Sequence, residues 1–382
     1  MNSHVANPRA NNIPEMREEL KTLAALPSDR PMGLPGIFYT SHEYFKRECA
    51  TILRNGWHCV GRIDEIPNPG DYLTIQILNE PLLVVRVETG DICAYSNICR
   101  HRGMPLAEGD GNANRFACSY HGWVYGLNGS LFRAPRMDNA GFDLEKCRLH
   151  TFPLQTWQGF IYISLVANPP EFGKGCENLE KVAAPFESDT FRFVHKAREI
   201  WKTNWKCLVE NFMDSYHLSV VHPQTLSYTP TRLSNKYLSG YGFTSYCANY
   251  PEGKESRSGG ARGLSDEERG RSTLFARFPT HLASQAASLL ISFSVLPVSP
   301  CETEVKWTMS AYGDDVDDDA IAQRISLWEE VNREDREKLE LLQVSLNSFH
   351  AESGPLAADD YEGTIRDFVN WLAAEDAACS DY

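Results

Sequence analysis

At 382 residues, with 42% apolar and 23% charged side chains, the chain has the makeup of a globular protein long enough to bury two cores. A formal charge of −14 supplies no basic field for nucleic acid or an anionic membrane surface, and no stretch of about 18 apolar residues is present to span a bilayer. The first residues, MNSHVANPRANNIPEMREEL, lack the basic-then-apolar order of an export signal, so a cytoplasmic setting without membrane or nucleic-acid partners is expected.

Residues 1–42 read as an N-terminal arm, rich in Pro and Asn and ending near a PMGLPG turn. HEYFKRECATILRNGW then predicts a helix, with Phe45, Cys49, Ile52 and Leu53 at helical spacing. From residue 70 the pattern changes to short strands, GDYLTIQI, LLVVRV and ICAYSNI, separated by turns. WVYGLNGSLF reads as a hairpin about Asn128-Gly129, and GFIYISL as a closing strand. Together these predict a small all-β domain over residues 43–167.

NPPEFGKG at 168–175 reads as a linker, and residues 168–382 predict an α+β domain with an antiparallel sheet. Its elements are a helix within 203–220, strands near 289–297 and 303–312, and a helix over 319–346. The glycine-rich polar stretch 250–272 is long for a loop and is expected to be either a functional lid or disordered. The acidic run DDVDDD at 314–319 reads as a solvated turn before a helix. The fold class expected is therefore α+β.

Eleven cysteines is an odd number, and most, such as Cys59, Cys207, Cys247 and Cys301, stand alone, which does not suggest a disulfide framework. Cys99 and Cys118 differ, because each is followed by a histidine. Cys99-Arg100-His101 and Cys118-Ser119-Tyr120-His121 put one thiolate and one imidazole on each of two loops. Those residues alone admit a Cys₂His₂ zinc site, but one Cys and one His per loop favours the ligation of a Rieske [2Fe–2S] cluster. Glycines 103, 109, 111, 122 and 126 permit tight loops about such a cluster, and Trp123 and Tyr125 can shield it.

A second group lies in WKCLVENFMDSYHLSVVHPQTL, which offers Glu210, Asn211, Asp214, His217 and His222. Two histidines and a carboxylate form the facial triad of non-haem Fe(II) oxygenases. Asp214 and His217, three apart, would share a helix face. His217 and His222, five apart, differ by about 140° on an ideal helix, so the helix must distort or end between them; Pro223 makes an ending reasonable. For the carboxylate, the 319–346 helix carries an apolar stripe of Ile321, Trp328, Val331, Leu339, Leu342 and Leu346 with Asp335 near its middle. Glu334 and Glu330 are the alternatives, and a solvated Asp335 remains possible on spacing alone.

CRHRGMPLAEGDGNANRFACSYHGWVYGLNGSL and ENFMDSYHLSVVH resemble the cluster-binding and iron-binding segments of the Rieske non-haem iron oxygenases, the oxygenase (alpha) components of ring-hydroxylating and demethylating systems. The resemblance implies that Cys99 and Cys118 ligate one iron of the cluster and His101 and His121 the other. It implies further that His217, His222 and Asp335 hold a mononuclear Fe(II), with Asn211 nearby. In a ring-shaped homotrimer, Asp214 would link a cluster histidine, His121, to His217 of the iron site in the adjoining subunit.

The chain shows no Gly-rich dinucleotide fingerprint and no ferredoxin cysteines beyond those of the cluster, so NAD(P)H is expected to act through a separate reductase or ferredoxin. O₂ and a small organic molecule are the expected substrates. An aromatic compound is favoured, a quaternary amine or betaine is the alternative, and an electron carrier without oxygenase activity is the competing class. Tyr228, Tyr237, Tyr241, Phe243, Tyr246 and Phe293 are candidate aromatic walls, with no decisive arginine cluster for a carboxylate.

Overall fold

The computed structural model describes residues 12–137, 141–254, 260–313 and 317–379. The start of the expected arm, residues 255–259 of the long loop and residues 314–316 of the acidic run lie outside the described residues. The chain forms two compact units: residues 57–170, and residues 1–56 with 171–382.

The smaller unit is all β, because its strands are short, alternating and broken by turn residues. A five-stranded antiparallel sheet orders strands Asp110–Asn112, Asp71–Ile77, Glu80–Arg86, Ile92–Ser96 and Thr151–Phe152. Two three-stranded sheets complete it, one built from 115–117, 124–126 and 131–133 and the other from 58–62, 160–163 and 154–157. Glu80 and Pro81, which lie between the expected strands GDYLTIQI and LLVVRV, already belong to a strand, since Leu78 takes the left-handed conformation (φ 53°) and the connection closes in two residues. Leu83, Val85, Phe116, Trp123 and Tyr125 form the core, and Cys99 and Cys118 are buried within it.

Residues 43–56, expected in the β domain, lie in the larger unit instead. Helix His42–Glu48 continues as a π-helical turn through Leu53. Arg47 is drawn there by Asp376 (Nε to Oδ1 2.7 Å), as is Glu48 by Lys206 (Oε1 to Nζ 2.7 Å). Both ion pairs are buried, so breaking either would strand a charge out of water, and sequence spacing carries no sign of such distant partners.

The larger unit is built on a seven-stranded antiparallel sheet whose order is 192–201, 302–311, 289–299, 281–286, 271–277, 243–249, 234–236. Strands 271–277 and 281–286 are buried on almost every residue, as expected of strands covered on both faces. Helices Trp205–Met213, Asp318–Ser345 and Asp359–Ala378 pack with it. Of the 250–272 loop, Ala261 and Leu264 are buried against Phe186 and Ala287, so this part packs as structure. Among the described residues no helix is long and apolar enough to cross a membrane.

Candidate metal centres and active site

In the smaller unit the two Cys/His loops fold alike. Gly103 donates its N–H to the Cys99 carbonyl and Gly122 to that of Cys118, both at 3.0 Å, and both glycines have positive φ (78° and 70°). A side chain at either place would strain the turn that lifts the histidine beside its cysteine. The His101 and His121 rings lie 4.5 Å apart at 77°, and Trp123 stacks on His101 at 4.9 Å. The Tyr125 hydroxyl lies 3.4 Å from Cys99 Sγ and accepts the Arg100 N–H at 2.9 Å. Among the described residues His101 Nδ1 is buried without a hydrogen-bond partner, which is costly for a core histidine but natural for a metal ligand. Two buried thiols, two adjacent imidazoles and one orphaned ring nitrogen fit a Rieske cluster.

In the larger unit the chain around the second group departs from the expected continuous helix. The 205–213 helix stops at Met213, whose carbonyl accepts the Thr364 hydroxyl at 2.6 Å, and Asp214 turns extended (ψ 119°). Ser215 donates its N–H to the Tyr361 carbonyl at 3.1 Å. A separate short helix, Leu218–Val221, follows, with His217 and His222 at its two ends. One break therefore falls before His217, where the C-terminal helix supplies partners for the freed backbone groups, and the short helix then ends between the histidines as expected, leaving His222 (φ −116°, ψ 48°) outside it just before Pro223.

This layout brings the histidine rings to 5.3 Å. One ligand atom each from His217, His222 and Asp335 fall within 4.8 Å of one another. Asp335 Oδ1 lies 3.0 Å from His222 Nε2 and 3.7 Å from His217 Nε2. Each imidazole has its other nitrogen engaged: His217 Nδ1 faces Asp214 at 3.2 Å and His222 Nδ1 faces Glu334 at 2.7 Å. Thr225 in turn donates its hydroxyl to Glu334 at 2.7 Å. Carboxylates on both Nδ1 atoms fix the tautomer that presents both Nε2 atoms to a metal. The His222 pKa is raised: burial opposes the cation, but the Asp335 and Glu334 carboxylates outweigh it.

Asp214 also accepts the Tyr216 N–H, which locks its carboxylate towards His217. Glu334, held as an alternative ligand, meets the far side of His222, and Glu330 pairs with exposed Arg333 instead. Asn211 offers its carbonyl to the Asp214 N–H at 3.2 Å. Spacing could not reveal the Glu334 contact, since 112 residues separate it from His222.

A cavity of about 180 Å³ is lined by Tyr228, Tyr250, Ser284, Ser288, Arg324 and Trp328, among others. Of the aromatic walls expected from sequence, Tyr228 lines it. Phe293 backs Trp328 at 6.4 Å and Phe212 at 5.3 Å, while Phe243 and Tyr246 are core. Tyr241 instead donates to Glu375 at 2.6 Å, and Tyr237 lies under Arg271. Tyr250, Trp328 and Arg324 were not foreseen as lining residues, although Trp328 stands on the apolar stripe with Asp335.

Residues 183–375 match the family model described as the ring hydroxylating alpha subunit (catalytic domain), and residues 56–157 match the Rieske [2Fe-2S] domain. The chain belongs to the Rieske oxygenases. The glycine betaine monooxygenase oxygenase subunit of Chromohalobacter salexigens is 30% identical, covering 89% of this chain and 85% of that one. The carnitine monooxygenase oxygenase subunit of Escherichia coli K12 is 32% identical over about half of each chain, 50% and 52%. Among solved structures, the quaternary ammonium Rieske monooxygenase CntA in complex with an inhibitor aligns with a TM-score of 0.83 at 22% identity, covering 93% and 98%. Naphthalene 1,2-dioxygenase from Rhodococcus sp. bound to indole aligns at 0.82 and 20% identity, covering 96% and 99%. This oxygenase thus carries the fold for a Rieske cluster and a mononuclear iron, and the carrier-only alternative is set aside by the match to the catalytic domain.

Proposed function

We propose that this oxygenase is the terminal component of a monooxygenase that oxidises a quaternary ammonium compound, with electrons passed from NAD(P)H by a separate reductase. The observation that carries the reading is the cavity: Tyr228, Tyr250 and Trp328 line it together with Arg324, and among the described residues no carboxylate does. Aromatic faces hold a cation whose charge is spread over methyl groups and cannot donate hydrogen bonds, at a gain of about 2 kcal/mol or more when water is excluded. The glycine betaine and carnitine monooxygenase relatives favour this substrate class over the aromatic one expected from sequence.

In this reading Cys99, Cys118, His101 and His121 hold the cluster, and His217, His222 and Asp335 hold the iron. When bound, the cluster supplies single electrons and the iron supplies O₂ activation. One oxygen atom enters a substrate C–H bond and the other leaves as water, consuming two electrons and two protons. Asp214 and Glu334 keep the histidines in the ligating tautomer, and the aromatic walls exclude water. Asp214 is also the group through which electrons pass from His121 of an adjoining subunit, in a homotrimer. Eleven free cysteines suit a reducing compartment such as the cytoplasm.

The test is NADH and O₂ consumption with a surrogate reductase, using trimethylammonium compounds, an aromatic acid and a methoxyarene. Coupled turnover is expected with the first class. Coupled hydroxylation of the aromatic acid without turnover of any quaternary amine would overturn the reading.

A further inference from the structure

Asn332 is a buried amide that the fold leaves unused. It lies on the Asp318–Ser345 helix at 4% exposure, and among the described residues its Nδ2 has no hydrogen-bond partner. A second buried amide of that helix behaves as burial demands: Gln343 accepts the Asn204 N–H at 2.8 Å and donates to the Tyr39 carbonyl at 3.3 Å. Taking an amide out of water without such partners is costly, so a group left in that state calls for a ligand. Its place on the helix says which one. Asn332 precedes Asp335 by three residues, ~4.5 Å along the axis and ~60° round it. Helical side chains lean towards the N-terminus, which brings the Asp335 carboxylate over the turn that carries Asn332. Trp328 in turn precedes Asn332 by four residues, ~40° round the axis.

Trp328 lines the cavity with Tyr228 and Tyr250, and that lining includes none of His217, His222 and Asp335. Asn332 thus stands on the buried face of the helix between the cavity wall and the carboxylate of the triad. Against Trp328 the sheet presents Phe293, with Trp307 paired beside it, so this wall offers rings rather than carboxamides or carboxylates. We propose that Asn332 positions O₂: its amide donates a hydrogen bond to the diatomic where O₂ meets the site formed by His217, His222 and Asp335. An amide suits the task. It offers two N–H donors on a short stem, keeps one protonation state, and does not compete for the metal as a further carboxylate or imidazole would. The proposal rests on the triad assignment above and is independent of the class of organic substrate.

Nitric oxide is the probe, since it binds ferrous sites in place of O₂ and gives an electron paramagnetic resonance signal without turnover. Iron-loaded protein with its cluster oxidised is titrated with nitric oxide, and affinity is counted per loaded mononuclear site. Asn332→Leu, close in volume and unable to donate, should raise the dissociation constant about 3- to 10-fold, the worth of one neutral hydrogen bond, and should alter the signal's anisotropy. Hydrogen peroxide released per O₂ consumed should rise in parallel. The urea midpoint of the variant should stay at or above that of the wild type, because the amide has no protein partner to lose. Asn332→Ala should weaken nitric oxide by a similar factor, and it carries the test if the leucine variant does not fold. Unchanged nitric oxide affinity, with or without a loss of stability, marks an amide that holds only the fold or a buried water, and overturns the proposal. If the wild type gives no nitric oxide signal, or if His217→Ala keeps it, the triad assignment fails instead.

Discussion

Glu210→Gln should stabilise this protein at alkaline pH and hardly change it in acid. Glu210 stands on the 205–213 helix, and its carboxylate receives the Tyr39 hydroxyl at 2.8 Å. Burial among packed side chains pushes its pKa up from 4.5 to about 7; Tyr39 and Lys206 pull it down without prevailing, and Glu362 raises it. The folded protein therefore keeps a proton that the unfolded chain has released. Stability is complete below the unfolded value near 4.5, falls as pH rises towards 7, and stays reduced above that. At 1.36 kcal/mol per pH unit, the penalty is at most about 3 kcal/mol at pH 8 and under about 1 kcal/mol at pH 5. It is smaller to the extent that water reaches the carboxylate. Glutamine keeps an oxygen for Tyr39 and cannot ionise. The assay is urea denaturation of wild type and variant from pH 5 to 8, with the mononuclear site stripped by a chelator so that no metal charge acts on the carboxyl. A gap between the two that does not widen with pH, or that favours the wild type at pH 8, would refute the reasoning.

The remaining predictions concern the metal centres and the core. Glu334→Ala should weaken iron binding at the mononuclear site about 10- to 100-fold, because His222 loses the carboxylate that orients it; competition with a chromophoric chelator measures this. Asp214→Asn should leave about three irons per chain, two in the cluster and one in the triad, yet abolish product formation. Normal product yield from that variant would remove Asp214 from the electron path. Lys206→Met should cost about 3–5 kcal/mol in denaturant titrations, since it leaves Glu48 charged and buried; Lys206→Met with Glu48→Gln should recover most of it.

How much of this was legible in the sequence depends on the distance over which each feature is decided. The cluster loops were legible because ligands, turn glycines and shielding aromatics sit within a few residues of one another, and Gly103 and Gly122 close the same local turn at each cysteine. The long helix and the place of Asp335 on it followed from periodicity, a local property. The early end of the 205–213 helix was not legible, because Thr364 and Tyr361, some 150 residues away, supply the hydrogen bonds that let Met213 and Ser215 leave the helix. The allegiance of residues 43–56 was hidden for the same reason, resting on Lys206 and Asp376.

By itself, then, the sequence determined the chemistry available: two Cys/His loops, a pair of histidines and an acidic residue on an apolar stripe, in segments that resemble those of an iron oxygenase. Tertiary structure alone decided which carboxylate faces which imidazole nitrogen, and that Arg324 shares a cavity with Tyr228, Tyr250 and Trp328. The difference is physical. Ligand type and helical period are written in neighbouring residues, whereas substrate preference depends on charges and aromatic faces that only packing brings together.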